Sequence, residues 1–492
     1  MVEQPVSPPP HPAGVVVLGG GIAGIAAALD LRDRGCAVTL VEARRFLGGR
    51  AFSFTPDSAQ DAEHLDGEPG DDDALPVDNG QHVIVGSCRC FLEFLERLGV
   101  RDRWYLQPRL RLRILDRHGR EGLLAAARLP APFQLLPALL TYPHLSAGEK
   151  LRALWALARA RRTNRHHPRL ERITFYQWLQ ERGQSERAIQ NLWNLLVEAT
   201  LNDNVREVSA HMGLMIVQEG MLRGYHSADL GYPLDGLLPA LGNPARELLK
   251  RRGVTLRLGV PARQILLESG RVQGVKLASG AVVRGRYYLS ALPASGLLGL
   301  LPPEVAQHPW VERLKGLETS PIVNVNIWYD RPVLTGDFCA FVDRPLQWVF
   351  NRSAILQAAH PQTRRTDEQH LCISLSAAWQ YIDEPREDLA QRFIEEMAQA
   401  FPAARVAQVK RVTVVKQRHA TFRCLPGAGE LRPGPQTPID NLFLAGEWTD
   451  TGWPSTMESA VRSGYNAARA VMQRESTGSL LGPLVGPESV AG

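Results

Sequence analysis

Six residues near the start, Gly19-Gly20-Gly21-Ile22-Ala23-Gly24, constrain the fold more than any other feature of the sequence. They set the spacing G-x-G-x-x-G between an apolar run at 14–18, which reads as a buried strand, and a segment at 22–34 with an Ala/Leu face, which reads as a helix. Residues 36–42 read as a second strand. Strand, glycine turn, helix and strand make a βαβ unit, which requires a parallel sheet covered by helices. In that setting Gly19 permits the tight turn, Gly21 lets the backbone approach a pyrophosphate, and Gly24 lets the helix pack close to the sheet. The first helical amides, those of Ile22 and Ala23 among them, offer unpaired N–H groups and a partial positive charge to the same pyrophosphate. Glu42 closes the second strand, where its carboxylate can accept hydrogen bonds from a ribose diol. The unit predicts a bound dinucleotide.

Composition bounds the setting. A chain of 492 residues, 44% apolar and 22% charged, has an ordinary globular balance and the length for more than one domain. Lys and Arg number 56 against 51 acids, a net +5 that is too slight to imply a nucleic-acid partner. The six cysteines, at 36, 88, 90, 339, 372 and 424, form no C-x-x-C pair and adjoin no histidine cluster, so a reducing compartment and no metal site are expected. Residues 1–13 are Pro-rich without Lys or Arg, unlike a signal peptide. No run of about 18 uncharged apolar residues occurs, so no transmembrane helix is expected. The expectation is a cytoplasmic protein, free or peripheral on the inner face of the membrane.

Residues 1–13 read as a flexible leader and 474–492 as a flexible tail. The acidic stretch 57–76 lacks any apolar period and reads as a surface insertion. Helical periodicity dominates from 91 to about 246. Strand-like alternation appears at 255–258, 264–268, 272–278 and 286–291, with turns at Gly270 and Gly280, and again at 320–350 and 371–377. A helix is expected at 388–401, strands at 409–416 and 442–445, and a last helix at 457–472.

The segment Glu42-Ala43-Arg44-Arg45-Phe46-Leu47-Gly48-Gly49-Arg50 resembles the E-x5-G-G-R motif of the amine oxidase and carotenoid desaturase flavoprotein superfamily. The resemblance implies FAD as cofactor, with Ala43, Arg44, Gly49 and Arg50 beside its pyrophosphate and flavin. Near the other end, Asn441-Leu442-Phe443-Leu444-Ala445-Gly446-Glu447 resembles the superfamily's closing strand, which implies Gly446 and Glu447 near the ribityl chain. Thr456 and Met457 then open a helix whose amides would face the flavin pyrimidine, and whose dipole would favour the anionic reduced flavin by roughly several tenths of a kcal/mol. Ala262 stands where relatives carry a Val whose backbone contacts adenine. The implied fold is α/β. It combines a Rossmann-like FAD-binding domain of the glutathione-reductase/amine-oxidase type, from residues 14–84, 247–297 and 432–473, with a discontinuous α+β substrate domain from 85–246 and 298–431.

Four further segments narrow the resemblance to the hydroxysqualene dehydroxylase group, over residues 15–472. They are Asp78-Asn79-Gly80-Gln81-His82; Ser227 to Leu230 with Pro233-Leu234-Asp235; Ser320 to Pro332; and Thr449 to Thr456, in which Trp453 replaces a more usual aliphatic residue. The resemblance places Gly80, Gln81 and His82 near the flavin. It implies that hydride from reduced flavin replaces an allylic hydroxyl of a C30 isoprenoid, giving squalene and water in bacterial squalene and hopanoid biosynthesis. The departing hydroxyl needs a proton, for which Asp229, His82 and Asp235 are the candidates, since desolvation holds a buried carboxyl protonated. Trp348, Trp379, Tyr329 and Trp453 are aromatic candidates for the cavity wall. At ~0.8 kcal/mol per CH₂, a C30 chain loses on the order of 20 kcal/mol on entering water, so direct transfer from a membrane is expected. The apolar stretches 123–140 and 151–160, followed by the basic run 159–167, suit an interfacial anchor within a membrane-facing helical part near 123–165.

No second dinucleotide fingerprint points to a nicotinamide, and the electron donor is left open. Three other readings also stay open. A phytoene-type desaturase or isomerase shares the fold and would be separated by product analysis. A flavin amine oxidase shares it too, although the flavin-linking Cys is absent from 449–453. A non-catalytic prenyl-lipid carrier would purify colourless.

Overall fold

The computed structural model describes residues 14–54, 77–362 and 367–477. The expected leader, the acidic stretch 57–76 and the tail beyond 477 lie outside the described residues. Successive apolar side chains leave the strand Gly14–Leu18 no polar face, and it is the central strand of a five-stranded parallel sheet. Ala37–Val41 and Tyr287–Ser290 flank it, with Thr255–Arg257 and Leu442–Leu444 at the edges. Distant parts of the sequence therefore meet in one sheet.

The helix Ile22–Asp33 packs on this sheet and is buried continuously from Ile22 to Leu29. A second helix, Met457–Thr477, lies against it through Ala460, Val461, Ala467, Ala468 and Val471, a stripe at helical spacing. This last helix runs beyond the expected end at 472. The ion pairs Arg474–Asp440 and Glu475–Arg286 hold its final turn against neighbouring loops and strands.

A second, seven-stranded sheet runs in the order Val409–Phe422, Thr319–Tyr329, Gln369–Leu375, Trp348–Asn351, Phe338–Phe341, Arg111–Leu115, Glu121–Ala125. All its pairs are antiparallel except Phe338–Phe341 with Arg111–Leu115. Alternation puts Val323, Val325, Leu371 and Ile373 on one face, packed under the helix Arg386–Ala400 by Phe393 and Met397. The opposite face borders a large cavity.

The expected helical stretch 91–246 is interrupted by the strands Trp104–Leu106, Arg111–Leu115, Glu121–Ala125 and Leu230–Pro233. The apolar segment 123–140 is likewise not one helix. It begins as the edge strand Glu121–Ala125. Pro130 and Pro132, lacking N–H donors, then block helical propagation until Leu136–Thr141. The helix Ala147–Arg162 starts cleanly, because Ser146 and Glu149 cap each other's free backbone amides.

The two long helices meet at Gly464, where an added Cβ would stand 2.4 Å from the Ala23 carbonyl oxygen. Gly464→Ala is expected to lower stability by about 1–3 kcal/mol through overpacking. The comparison is the thermal unfolding midpoint of Gly220→Ala, whose added methyl would meet nothing within 4 Å.

Candidate active site

The carboxyl ends of the parallel strands open onto a cavity of about 1230 Å³, the position at which such sheets bind ligands. Gly19, Gly21, Ile22 and Ala23 border it from the first turn, and Glu42, Arg44, Gly49 and Arg50 from the next segment. Gly80, Gln81 and His82 form a third side, and Gly446, Glu447, Thr456 and Met457 a fourth. Three sequence candidates stand back. Gly24 acts one layer behind, where a Cβ would come 1.9 Å from the Gly19 carbonyl oxygen. Ala43 is exposed, since neighbours in an extended segment point opposite ways and Glu42 and Arg44 take the inner side. Ala262 opens a separate antiparallel strand opposite Leu277. In its place Gly259 and Val260 reach the Glu42 segment, donating N–H bonds of 2.8 Å to the Arg44 carbonyl and 3.0 Å to the Glu42 carbonyl.

Two glycine turns meet in the cradle. The Gly48 N–H donates to the Gly20 carbonyl at 2.9 Å. A Cβ on Gly49, whose φ is +63°, would lie 2.8 Å from the Gly21 Cα. Glu42 ties the first turn to its own segment: one carboxylate oxygen accepts the Gly20 N–H at 2.6 Å, the other the Arg44 N–H at 2.8 Å. Each oxygen keeps a further lone pair for a diol. The Arg44 guanidinium donates to the Gly49 carbonyl at 2.9 Å and lies 4.8 Å above the Phe52 ring. Arg50 donates to the Ala420 carbonyl at 2.8 Å and pairs with Glu447, joining the second glycine turn to the closing segment.

Sequence reasoning missed two residues that hold this end. The buried Arg432 guanidinium donates to the carbonyls of Glu447, Trp448, Thr449 and Trp453, and so fixes the closing loop. Desolvation lowers its pKa, and no carboxylate forms an ion pair with it among the described residues. A lone Arg before Pro433 carries no sequence signal for that role. Glu458, buried in the first turn of the last helix, accepts the Phe91 N–H at 2.7 Å and ties that turn to the helix Arg89–Leu98. Its only sequence signal was an acid at a helix start.

Of the three proton-donor candidates, only His82 borders the cavity. Its Nδ1 lies 2.9 Å from the Gly80 carbonyl, which can only accept, so Nδ1 carries the proton and Nε2 is the free acceptor. Desolvation holds its pKa below the usual histidine range, so the ring is neutral near pH 7. Asp229, 1% exposed, is committed elsewhere: one oxygen accepts the Leu110 N–H at 2.7 Å and the other faces His226 Nδ1 at 2.6 Å. Asp235 pairs with His360 on an outer face. Both stand outside the cavity wall because their turns direct the carboxylates into neighbouring backbone and histidine partners. Among the aromatic candidates, Trp348 and Trp453 line the cavity. Tyr329 is buried in the opposite core, and Trp379 is exposed beside Arg423.

The cradle fits a flavin dinucleotide. It has no side chain to fill the path between Gly21 and Gly49, amides at two helix starts, and a closing loop that shares the cavity. A protein with this sheet and this site is an FAD-dependent oxidoreductase. Residues 22–472 match the flavin containing amine oxidoreductase family, and the chain belongs to it. It is 27% identical over 478 residues to hydroxysqualene dehydroxylase of Sinorhizobium fredii, covering 95% of this chain and 100% of that one. It is 25% identical over 477 residues to 15-cis-phytoene desaturase of Synechococcus elongatus, covering 94% and 96%. Among solved structures, cyclohexylamine oxidase from Brevibacterium oxydans shares the fold, with a TM-score of 0.67 and 19% identity over 95% of this chain and 100% of that one.

Glu42→Ala would leave the Gly20 and Arg44 amides unpaired and is expected to weaken FAD binding about ten-fold or more, the range for losing a buried acceptor. Gly49→Val, forced into a left-handed backbone against Gly21, is expected to abolish binding. Titration of the apoprotein with FAD, followed by flavin fluorescence, measures both.

Proposed function

We propose that the protein catalyses the FAD-dependent reductive dehydroxylation of hydroxysqualene to squalene, in bacterial squalene and hopanoid biosynthesis. The observation that carries this reading is a single cavity with two ends. One end is the glycine cradle. The other is walled by Leu136, Leu139, Leu154, Leu157, Met221 and Phe350, a lining suited to a long apolar chain. The match to a hydroxysqualene dehydroxylase over that relative's whole length supports the choice of reaction.

Bound FAD, when reduced, supplies a hydride. The substrate carbon exchanges its C–O bond for C–H, and the hydroxyl leaves with one proton as water. The chain's part is to bind and orient the isoprenoid, exclude water, and manage that proton. His82, with Nε2 free at the cavity wall, is our candidate for the last task. It holds no proton on Nε2, so it would serve as a relay, taking up a solvent proton there and passing it to the departing hydroxyl. Anaerobic photoreduced holoenzyme mixed with hydroxysqualene is expected to reoxidise its flavin with stoichiometric squalene release. Oxidised holoenzyme that instead introduced double bonds into phytoene would favour a desaturase, the reading that the phytoene desaturase relatives support.

We further infer that substrate reaches the cavity from a membrane surface. No helix among the described residues is long and apolar enough to cross a membrane. The helix Ala147–Arg162 instead has three faces. Ala153, Ala156 and Ala160 are fully buried, Leu154 and Leu157 border the cavity, and Leu151 and Trp155 are 65% and 51% exposed. Phe133, 53% exposed, also borders the cavity. Arg159, Arg161 and Arg162 close the helix, each basic charge near anionic lipid adding ~1 kcal/mol, whereas Arg165 is paired with Glu219. Leu151→Ser with Trp155→Ser is expected to reduce co-sedimentation with anionic phospholipid vesicles by about ten-fold, leaving FAD content unchanged. Undiminished sedimentation would count against this surface.

A further inference from the structure

The floor of the cavity is one face of the seven-stranded sheet, and its middle is polar. Alternation along Thr319–Tyr329 sends Ile322 and Asn324 to the cavity and Val323 and Val325 to the opposite core. Ser374 lies directly opposite Asn324 on the neighbouring strand, and Gln417 lies opposite Ile322 on the other side. Directly opposed residues in such a pair hold their Cβ atoms about 5 Å apart. Asn324 and Ser374 are so placed, and Gln417 stands diagonally from Asn324, about 7–8 Å away. A hydroxyl and two carboxamides therefore share one stretch of a wall whose larger lining side chains are mostly Leu, Ile, Met and aromatic.

These groups are not used up by the protein. Among the described residues, the side chains of Ser374 and Gln417 make no hydrogen bond, although both border the cavity. Asn324 is 1% exposed. Its Nδ2 donates to the Asn79 carbonyl at 3.3 Å, while its Oδ1 has no partner.

The cluster sits at the junction of the cavity's two ends. Asn324 packs on Gly80, where an added Cβ would lie 2.9 Å from Nδ2. Gln417 is on the strand whose Ala420 carbonyl accepts from Arg50. A pure hydrocarbon lying over Ser374 and Gln417 would strip their water and return no hydrogen bond, which is costly for each group. A ligand carrying its own hydroxyl at that point satisfies them.

We propose that Ser374 and Gln417, on either side of Asn324, form a hydroxyl-recognition patch that selects an oxygenated isoprenoid and holds its C–O bond at the junction with the flavin end. The patch rests on the dehydroxylase reading and deepens it, by naming the residues that separate an alcohol substrate from a hydrocarbon. Sites built to hydrogen-bond a ligand hydroxyl discriminate strongly against the analogue lacking it.

The test uses oxidised holoenzyme titrated with hydroxysqualene and, separately, with squalene, each followed by perturbation of the flavin visible spectrum. Wild-type protein is expected to bind the alcohol about ten-fold or more tightly than the hydrocarbon. In Ser374→Ala with Gln417→Met, which keeps the volume close to native, that preference is expected to fall toward one through loss of alcohol affinity alone. Squalene affinity and FAD content should hold, which a merely structural role for the pair would not allow. Both ligands binding with the preference unchanged in the double variant overturns the patch and leaves the isoprenoid reading standing. Equal weakening of both ligands overturns the patch as well. Failure of both C30 compounds to perturb the wild-type flavin overturns the reading of the cavity, and the patch with it.

Discussion

The close approach of the last helix to the first, at Gly464 against the Ala23 carbonyl, is the constraint on which the rest of the structure depends. It holds the closing segment over the glycine turn, so that Gly446, Glu447 and Met457 share a cavity with Gly21. Parallel pairing of Leu442–Leu444 with Tyr287–Ser290 sets the same arrangement from the sheet side. The Arg50–Glu447 ion pair spans the two segments but is partly exposed, and such pairs contribute only about 0–1 kcal/mol. Helix packing brings the ends together, and the ion pair fixes their register.

Around that junction the site is organised by what is left out as much as by what is present. Glycines on two turns allow backbones to approach until the Gly48 amide reaches the Gly20 carbonyl. A single carboxylate, that of Glu42, then accepts the Gly20 amide of the first turn and the Arg44 amide of its own segment. On the closing side Arg432 does the converse, a buried cation gathering carbonyls of one loop. Burying an unpaired charge costs several kcal/mol unless polar groups compensate it. The loop is thereby held in the one conformation that brings enough carbonyl oxygens to the guanidinium.

The cofactor end was largely legible in the sequence because its chemistry is local. Turn glycines, a strand-ending acid and helix-opening amides act through backbone geometry that spacing alone specifies. Ala43 and Ala262 departed from expectation for that same reason: alternation turned one outward, and a separate hairpin carried the other away. The proton-donor candidates were less legible. Asp229 and Asp235 look alike in sequence to a catalytic carboxyl, and only their partners, Leu110, His226 and His360, show them engaged elsewhere. The apolar stretch near 123–140 misled because composition does not distinguish an edge strand and a proline-broken turn from a helix.

By itself the sequence determined the βαβ unit, the cofactor class and the presence of an apolar part with a basic flank. The first and last rest on contacts within a few residues, or on periodicities of 2 and 3.6; the cofactor class was implied by the resemblance of the segments 42–50 and 441–447 to a flavoprotein superfamily. The tertiary structure alone decided that the two cofactor segments and the apolar helices enclose one space, that Arg432 serves the closing loop, and that Ser374 and Gln417 flank Asn324. Those facts depend on which strands pair and which faces meet. Pairing is set by the burial of whole surfaces, and no short run of residues encodes it.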